Sequence, residues 1–330
     1  MLTPSRCTRG VLVLLSIAVG LALARPTIAF AQWPPDSITN LQVLPEDIAF
    51  RRLVDIMSGF TRALGVRCSF CHVGEEGTPL SRYDFASDDK PTKRKAREML
   101  RMVRAINTQF LAGLEDRLAP PIDVRCVTCH GGVRQPRLLE DIVVLAYRQG
   151  GLDTALARYR QLRDEYYGRA AYDFGAVPLT EAAGRIQEVS LSDAVAVLAL
   201  NVEMNPSSVF AKRSHVQGAV LDAALTGGPD AGVAELDRLR AGYGPAAFPE
   251  SVVNGLGYAL LGRDRTDAAI AVFHKYTQWF PNSANAYDSL GEAYMLAGDT
   301  ARAIASYERS LELNPNNQNA RDKLAELQTP

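Results

Sequence analysis

The sequence has few thiols and few imidazoles: five cysteines and four histidines among 330 residues. Cys7 precedes an N-terminal apolar run, and the other four cysteines form two close pairs, so none is left for a structural disulfide between other sites. Neither sign of charge is in excess. The formal net charge is −1, which argues against nucleic acid as the main partner. After residue 31 no run is long and apolar enough to cross a membrane.

The first 31 residues read as an address. Arg6 and Arg9 precede an apolar stretch from Val11 to Ala24, and Ala29-Phe30-Ala31 offers small residues for cleavage after Ala31. The competing reading is an uncleaved anchor, but Arg25-Pro26 interrupts a run already short for a span. Cleavage would remove three arginines and no acid, moving the net charge to −4. The expected location is therefore the periplasm; a retained anchor would hold the chain at the inner membrane.

The four remaining cysteines stand in two identical spacings, Cys68-Ser-Phe-Cys71-His72 and Cys126-Val-Thr-Cys129-His130. Two thiols separated by two residues can reach the two vinyl groups of one haem. The histidine that follows then falls beneath the iron as proximal ligand. A redox CxxC would need a βαβ setting that neither segment has. A zinc site could use the four sulfurs but leaves both adjacent histidines unexplained. The expected cofactors are two c-type haems, attached through Cys68, Cys71, Cys126 and Cys129 and ligated by His72 and His130.

The far side of each iron needs a second ligand if the haem only passes electrons. Beyond the two motifs only His215 and His274 remain, so methionine is the place to look. Leu53, Met57, Phe60 and Leu64 make one face of a helix that Gly65 should end. Met99, Met102, Val103, Ile106 and Phe110 make a stripe on a second helix, which Thr92 could cap. Spacing alone leaves two readings for these methionines, iron ligands or core filling. The run Lys90, Lys93, Arg94, Lys95, Arg97, Arg101 and Arg104 reads as a solvated face, with propionate pairing or carrier docking as the alternative.

"MSGFTRALGVRCSFCH", "AREMLRMVRAIN" and "CVTCHGGVRQP" resemble the cytochrome subunit of photosynthetic reaction centres over roughly residues 38–138. That family carries four haems in two similar halves, and the likeness covers one half. It implies Met57 as axial partner of the haem held by His72. It implies Met99 for the haem held by His130, with Met102 as the alternative. A histidine that a family half can carry in this second helix matches Gly113 here. A photosynthetic and a respiratory role both stay open.

From about residue 139 the chain turns Ala- and Leu-rich, with no cysteine and no strand alternation. A period of 34 pairs Gly257 with Gly291, Ala259 with Ala293, Ala269 with Ala303, Phe273 with Tyr307 and Pro281 with Pro315. This is the tetratricopeptide (TPR) length and pattern. "LSDAVAVLALNVEMNP" looks like a degenerate copy. His215 and His274 fall within these helices and read as packing or surface residues.

The expected architecture is all-α, a small dihaem cytochrome domain followed by a TPR-like solenoid. Its boundaries are 1–31 signal peptide, 32–138 cytochrome, 139–247 degenerate helical region, 248–318 two repeats and 319–330 tail. The expected function is electron transfer rather than enzymatic turnover. The partners would be other redox proteins, a membrane electron-transfer complex among them, with a protein or peptide at the repeats. The competing readings are a dihaem peroxidase-like enzyme with an open haem site and a TPR adaptor.

Overall fold

Leu53, Met57, Phe60 and Leu64 do share a helix: α1 spans Phe50–Leu64, and all four are half-buried while Arg51, Arg52, Asp55 and Arg62 face solvent. Gly65 ends it in the left-handed region at φ 63°, and the Val66 amide reaches back to the Thr61 carbonyl oxygen at 3.0 Å. These details come from a computed structural model, which describes residues 37–115 and 120–328. The expected signal peptide, residues 1–31, lies outside the described residues.

The chain divides into two compact units. The first contains the described residues up to Met57 and Arg67–Gly113. The second contains Ser58–Val66 and the chain from Leu114 onward. The fold is all-α. Among the described residues no strand forms, and the one isolated β-bridge joins Val73 to Asp84.

In the first unit the second predicted helix is α2, Pro91–Ala105, which runs on into a π-helical turn over Ile106–Leu111. Thr92 does not cap it. Lys90 is the N-cap and Pro91 takes the first helical position, where its missing N–H costs nothing. The Thr92 hydroxyl instead donates to the Phe70 carbonyl oxygen.

The second unit opens with the short helix α3, Cys126–His130. Then follow α4 (Leu139–Tyr166), α5 (Ala176–Ile186), α6 (Leu191–Met204), α7 (Val209–Tyr243), α8 (Glu250–Leu261), α9 (Thr266–Trp279), α10 (Ala284–Leu296), α11 (Thr300–Leu313) and α12 (Gln318–Gln328). Two of these are helix pairs in disguise. α4 breaks at Gly150-Gly151 and α7 at Gly228, just before Pro229. From α4 to α12 each helix packs on its neighbours in chain order, as stacked hairpins do. Two clusters fill the stack, one along α4–α6 and one along α7–α12. α12 occupies the stretch read as a tail and buries Ala320. No helix among the described residues is long and apolar enough to cross a membrane.

The repeat pattern has a common anchor. Near the end of each second helix a polar side chain reaches the first residue of its partner helix. Asn201 Nδ2 donates to the Ala176 carbonyl at 2.7 Å, Tyr276 Oη to Glu250 Oε2 at 2.8 Å, and Ser310 Oγ to the Ala284 carbonyl at 2.8 Å. The α5–α6 pair is thus built like the two clear repeats. Gly257 and Gly291 exist because an aromatic ring lies on them. A Cβ at Gly257 would overlap the Phe273 ring, and one at Gly291 would stand 3.0 Å from Tyr307. Gly257→Ala should therefore destabilise the fold by about 1–3 kcal/mol. Gly291→Ala should cost less, and thermal melting of the two variants checks the order.

Candidate haem sites

The first CxxCH motif begins as one turn of 3-10 helix, Cys68–Phe70, with the Cys71 and His72 amides both donating to the Cys68 carbonyl oxygen at 3.2 and 2.9 Å. The turn places Cys68, Cys71 and His72 on one short arc of backbone. A clip formed by the following loop closes over it. The Asp84 amide donates to the Val73 carbonyl at 2.8 Å, and the Tyr83 ring lies on Gly74, where any Cβ would overlap it. Phe85 then meets the His72 ring edge-on at 4.9 Å between centroids. Asp84 Oδ1 turns the loop by accepting from the Ala86 and Ser87 amides at 3.0 and 2.8 Å.

Most of the basic run on α2 is spent holding this clip. Lys93 Nζ donates to the carbonyls of Phe85, Ala86 and Ser87 at 2.8, 3.0 and 2.8 Å and pairs with Asp88 at 3.2 Å. Arg97, only 9% exposed, pairs with Asp88 at 2.9 Å and donates to the Asn40 carbonyl at 3.2 Å. Lys90 donates to the Ser69 carbonyl and Arg94 to that of Asp88. Lys95 and Arg104 are exposed. Neither a plain solvated face nor a free docking surface describes the run. A Lys93→Met variant should lose about 2 kcal/mol, because three carbonyls lose their charged donor. Lys95→Met should stay within about 0.5 kcal/mol; equal melting temperatures for the two would contradict this role.

Burial, reinforced by the positive charge of Lys93, pushes the His72 imidazole down to about 4, so it is neutral at ordinary pH. Burial also raises the Cys71 thiol. Met57 belongs to the same unit and is half-buried.

The second motif is α3 itself. Thr128 Oγ1 accepts from the Arg125 amide at 3.0 Å, and Gly131 ends the helix in the left-handed region. His130 Nδ1 stands 2.9 Å from the Val133 carbonyl oxygen. A carbonyl only accepts, so Nδ1 carries the proton and Nε2 keeps its lone pair for a metal. The end of α1 supports this turn. The Gly132 amide donates to the Ala63 carbonyl at 2.9 Å, and Gly65 lies directly against Gly132. On another side, a Cβ on Gly131 would stand 3.1 Å from the Ala170 carbonyl.

Met99 and Met102 lie on α2, 44% and 46% exposed, and Phe110 is 66% exposed. Neither methionine is buried among the described residues. They belong to the first unit, and Cys126, Cys129 and His130 to the second. Gly113 closes the first unit with open space around its α-carbon. His215 and His274 are occupied, bonding to the hydroxyls of Tyr243 at 2.7 Å and Tyr294 at 2.5 Å. The sequence reading missed the aromatic clip and the Lys93 and Arg97 braces.

All four thiols are unpaired. Among the described residues no three His, Cys, Asp or Glu side chains converge as a metal cage. Among its described residues the first unit fully buries no apolar side chain, and Arg97 is the one buried residue.

Residues 31–142 match the family described as photosynthetic reaction centre cytochrome C subunit, and residues 284–317 match the tetratricopeptide repeat. Cytochrome c-554 of Chloroflexus aurantiacus is 34% identical over 102 residues, 31% of this chain and 22% of that protein. The photosynthetic reaction center cytochrome c subunit of Rubrivivax gelatinosus is 35% identical over 89 residues, 24% of this chain and 23% of that one. The chain thus spans less than a quarter of the length of either relative. A crystal structure of MamA protein aligns with 58% of this chain and 94% of its own at 19% identity, with a TM-score of 0.30. The chain thus joins a segment similar to the haem-binding cytochrome C subunit of photosynthetic reaction centres to a region that contains a tetratricopeptide repeat.

Proposed function

We propose that the protein is an exported dihaem c-type cytochrome that passes electrons and turns over no substrate, with its repeat region docking a protein partner. The observation that carries this reading is the chemistry of each motif. Each keeps two unpaired thiols beside a histidine suited to ligation, in a segment whose own side chains make little core. A large flat apolar group held by two thioethers fits that deficit.

Cys68 and Cys71 would hold one haem and Cys126 and Cys129 the other, with His72 and His130 as proximal ligands. Met57 would be a further ligand for the first, and Met99, or else Met102, for the second. Haem, when bound, supplies reversible one-electron chemistry at iron. The chain's contribution is placement. The 3-10 turn and α3 set the thiols, and burial keeps His72 unprotonated. The Val133 carbonyl fixes which nitrogen of His130 is free.

For docking, the repeat region has a cleft of about 300 Å³ lined by residues of α5, α6, α7 and α8, Gly184 and Gly255 among them. Both glycines lie inside helices with nothing near a built Cβ, so internal packing does not require them there. A partner approaching closely gives them a reason.

Expression in a host competent for cytochrome maturation tests the core of this reading. The intact protein should carry two covalent haems by mass and a low-spin, six-coordinate spectrum for both. A chain without covalent haem ends the proposal, and a high-spin population would favour a catalytic site instead. Gly184→Trp with Gly255→Trp should slow electron exchange with the partner. An unchanged rate would remove docking from the repeats.

A further inference from the structure

His130 to Val133 form a tight turn. The Val133 amide donates to the His130 carbonyl at 2.8 Å, and both central residues, Gly131 at φ 53° and Gly132 at φ 95°, hold left-handed backbone. The same two ends are joined a second time, by His130 Nδ1 and the Val133 carbonyl at 2.9 Å. The acceptor that orients the imidazole is thus carried by the turn, and a shift of Gly131 shifts it.

Gly131 meets main chain from much further along. A Cβ built on it would stand 3.1 Å from the Ala170 carbonyl oxygen and 3.4 Å from the Ala171 α-carbon. Ala170 and Ala171 belong to the connection between α4 and α5, in the same compact unit as the second motif. That connection is not slack. Ala170 holds φ 55°, one of three non-glycine residues with positive φ among the described residues, and an L-residue adopts this region at a cost. Its side chain is exposed, so the strain serves the path of the main chain and not the burial of a methyl group.

The surroundings impose that path. The Arg169 amide donates to the Tyr166 carbonyl at 2.9 Å, and the Tyr172 ring meets the Tyr166 ring edge-on at 5.3 Å. Phe174 enters the core along α4–α6 and packs on Tyr159 at 5.9 Å. Arg163 of α4 lies over the Tyr167 ring at 4.3 Å and donates to the carbonyls of Phe174 and Met204 at 3.5 and 3.3 Å. The connection is therefore tied to both α4 and the end of α6 before it reaches Gly131.

We propose that the α4–α5 connection is a positioning element of the second haem site, so that the repeat region helps to build that site besides docking a partner. Ala170 and Ala171 hold Gly131, the turn holds the Val133 carbonyl, and that carbonyl orients the His130 ring and raises its basicity. Ala170 acts through His130. The inference rests on the reading of His130 as an iron ligand.

The test uses the full-length haem-loaded protein. Ala170→Val puts a β-branched residue on left-handed backbone, so the connection must shift although no buried side chain changes. Ala170→Gly adopts the same backbone freely. Ser310→Ala is the stability control, since it removes the buried hydroxyl that bonds Ala284 and leaves the α4–α5 connection alone. Low-temperature EPR reads the g-values of each haem and a redox titration its potential. The second haem is the signal that Cys126→Ala with Cys129→Ala abolishes. Ala170→Val should shift the g-values of the second haem and raise its potential, because a weakened bond to Val133 leaves a less basic imidazole and favours ferrous iron. The first haem should not move, and Ala170→Gly and Ser310→Ala should match the parent at both haems. A second haem unmoved or lowered in potential by Ala170→Val, an equal shift at both haems, or an equal shift in Ser310→Ala overturns the inference. A parent protein without two covalent haems by mass would remove the proposed function itself, whereas two haems indifferent to Ala170→Val would remove only the role of the connection.

Discussion

Replacing Met57 by Ala is expected to convert one of two haems from six- to five-coordinate, leaving the other unchanged. The midpoint potential of that haem should fall on the order of 0.2 V, a quarter of the roughly 0.8 V span over which axial ligands set haem potentials. Thioether ligation raises potential, so the sign is downward. The expectation rests on position as well as on resemblance. Met57 lies on the half-buried face of α1, in the unit that also contains Cys68, Cys71 and His72. Two controls separate ligation from packing. Leu53→Ala, one turn earlier on the same face, removes apolar bulk without touching iron and should leave spectrum and potential in place. Met57→His should restore six-coordination and still sit at a lower potential. Resonance Raman or magnetic circular dichroism reads the coordination number, and a redox titration reads the potential. A Met57→Ala protein with two unchanged low-spin haems would show that another side chain fills the position.

What the sequence made legible is local chemistry and local period. The CxxCH spacing, the face of α1, the glycine that ends it and the 34-residue repeat all depend on residues close in the chain, or on a pattern repeated along it. What stayed hidden depends on chain segments that meet only after folding. Nothing near Gly74 says that Tyr83 lies across it, and nothing near Lys93 says that three carbonyls converge on its ammonium. The basic run looked like a solvated face because charge along a helix says nothing about which carbonyls lie opposite. Thr92 was misread for a different reason, since the signal was present. Pro91 favours the first helical position, so the cap falls at Lys90 rather than after it. The exposure of Met99 and Met102 could not be read from periodicity, because an apolar stripe looks the same whether it meets protein or cofactor.

Gly65→Ala should be among the most damaging single-methyl additions in the cytochrome segment. The left-handed backbone at φ 63° costs an L-residue about 1–2 kcal/mol by itself. The added Cβ would also overlap the Gly132 carbonyl oxygen and stand 3.3 Å from its carbon, against backbone that has no rotamer to yield. Relief requires moving α1 away from the turn, which breaks the bond from the Gly132 amide to Ala63 and leaves a buried residue's carbonyl without its donor. Together these give a loss of about 3 kcal/mol, or a melting temperature lower by roughly 5 °C for a chain of this size. Gly59→Ala supplies the comparison within the same helix, because its Cβ would meet nothing within 4 Å. It should stabilise the helix by about 0.5–1 kcal/mol. The damage should also be directional. Gly132 immediately precedes Val133, whose carbonyl holds His130, so the spectrum of the second haem should shift before that of the first. If Gly65→Ala and Gly59→Ala melted alike, the close approach of α1 to the second motif would be refuted, and with it the idea that one helix end steadies the second histidine.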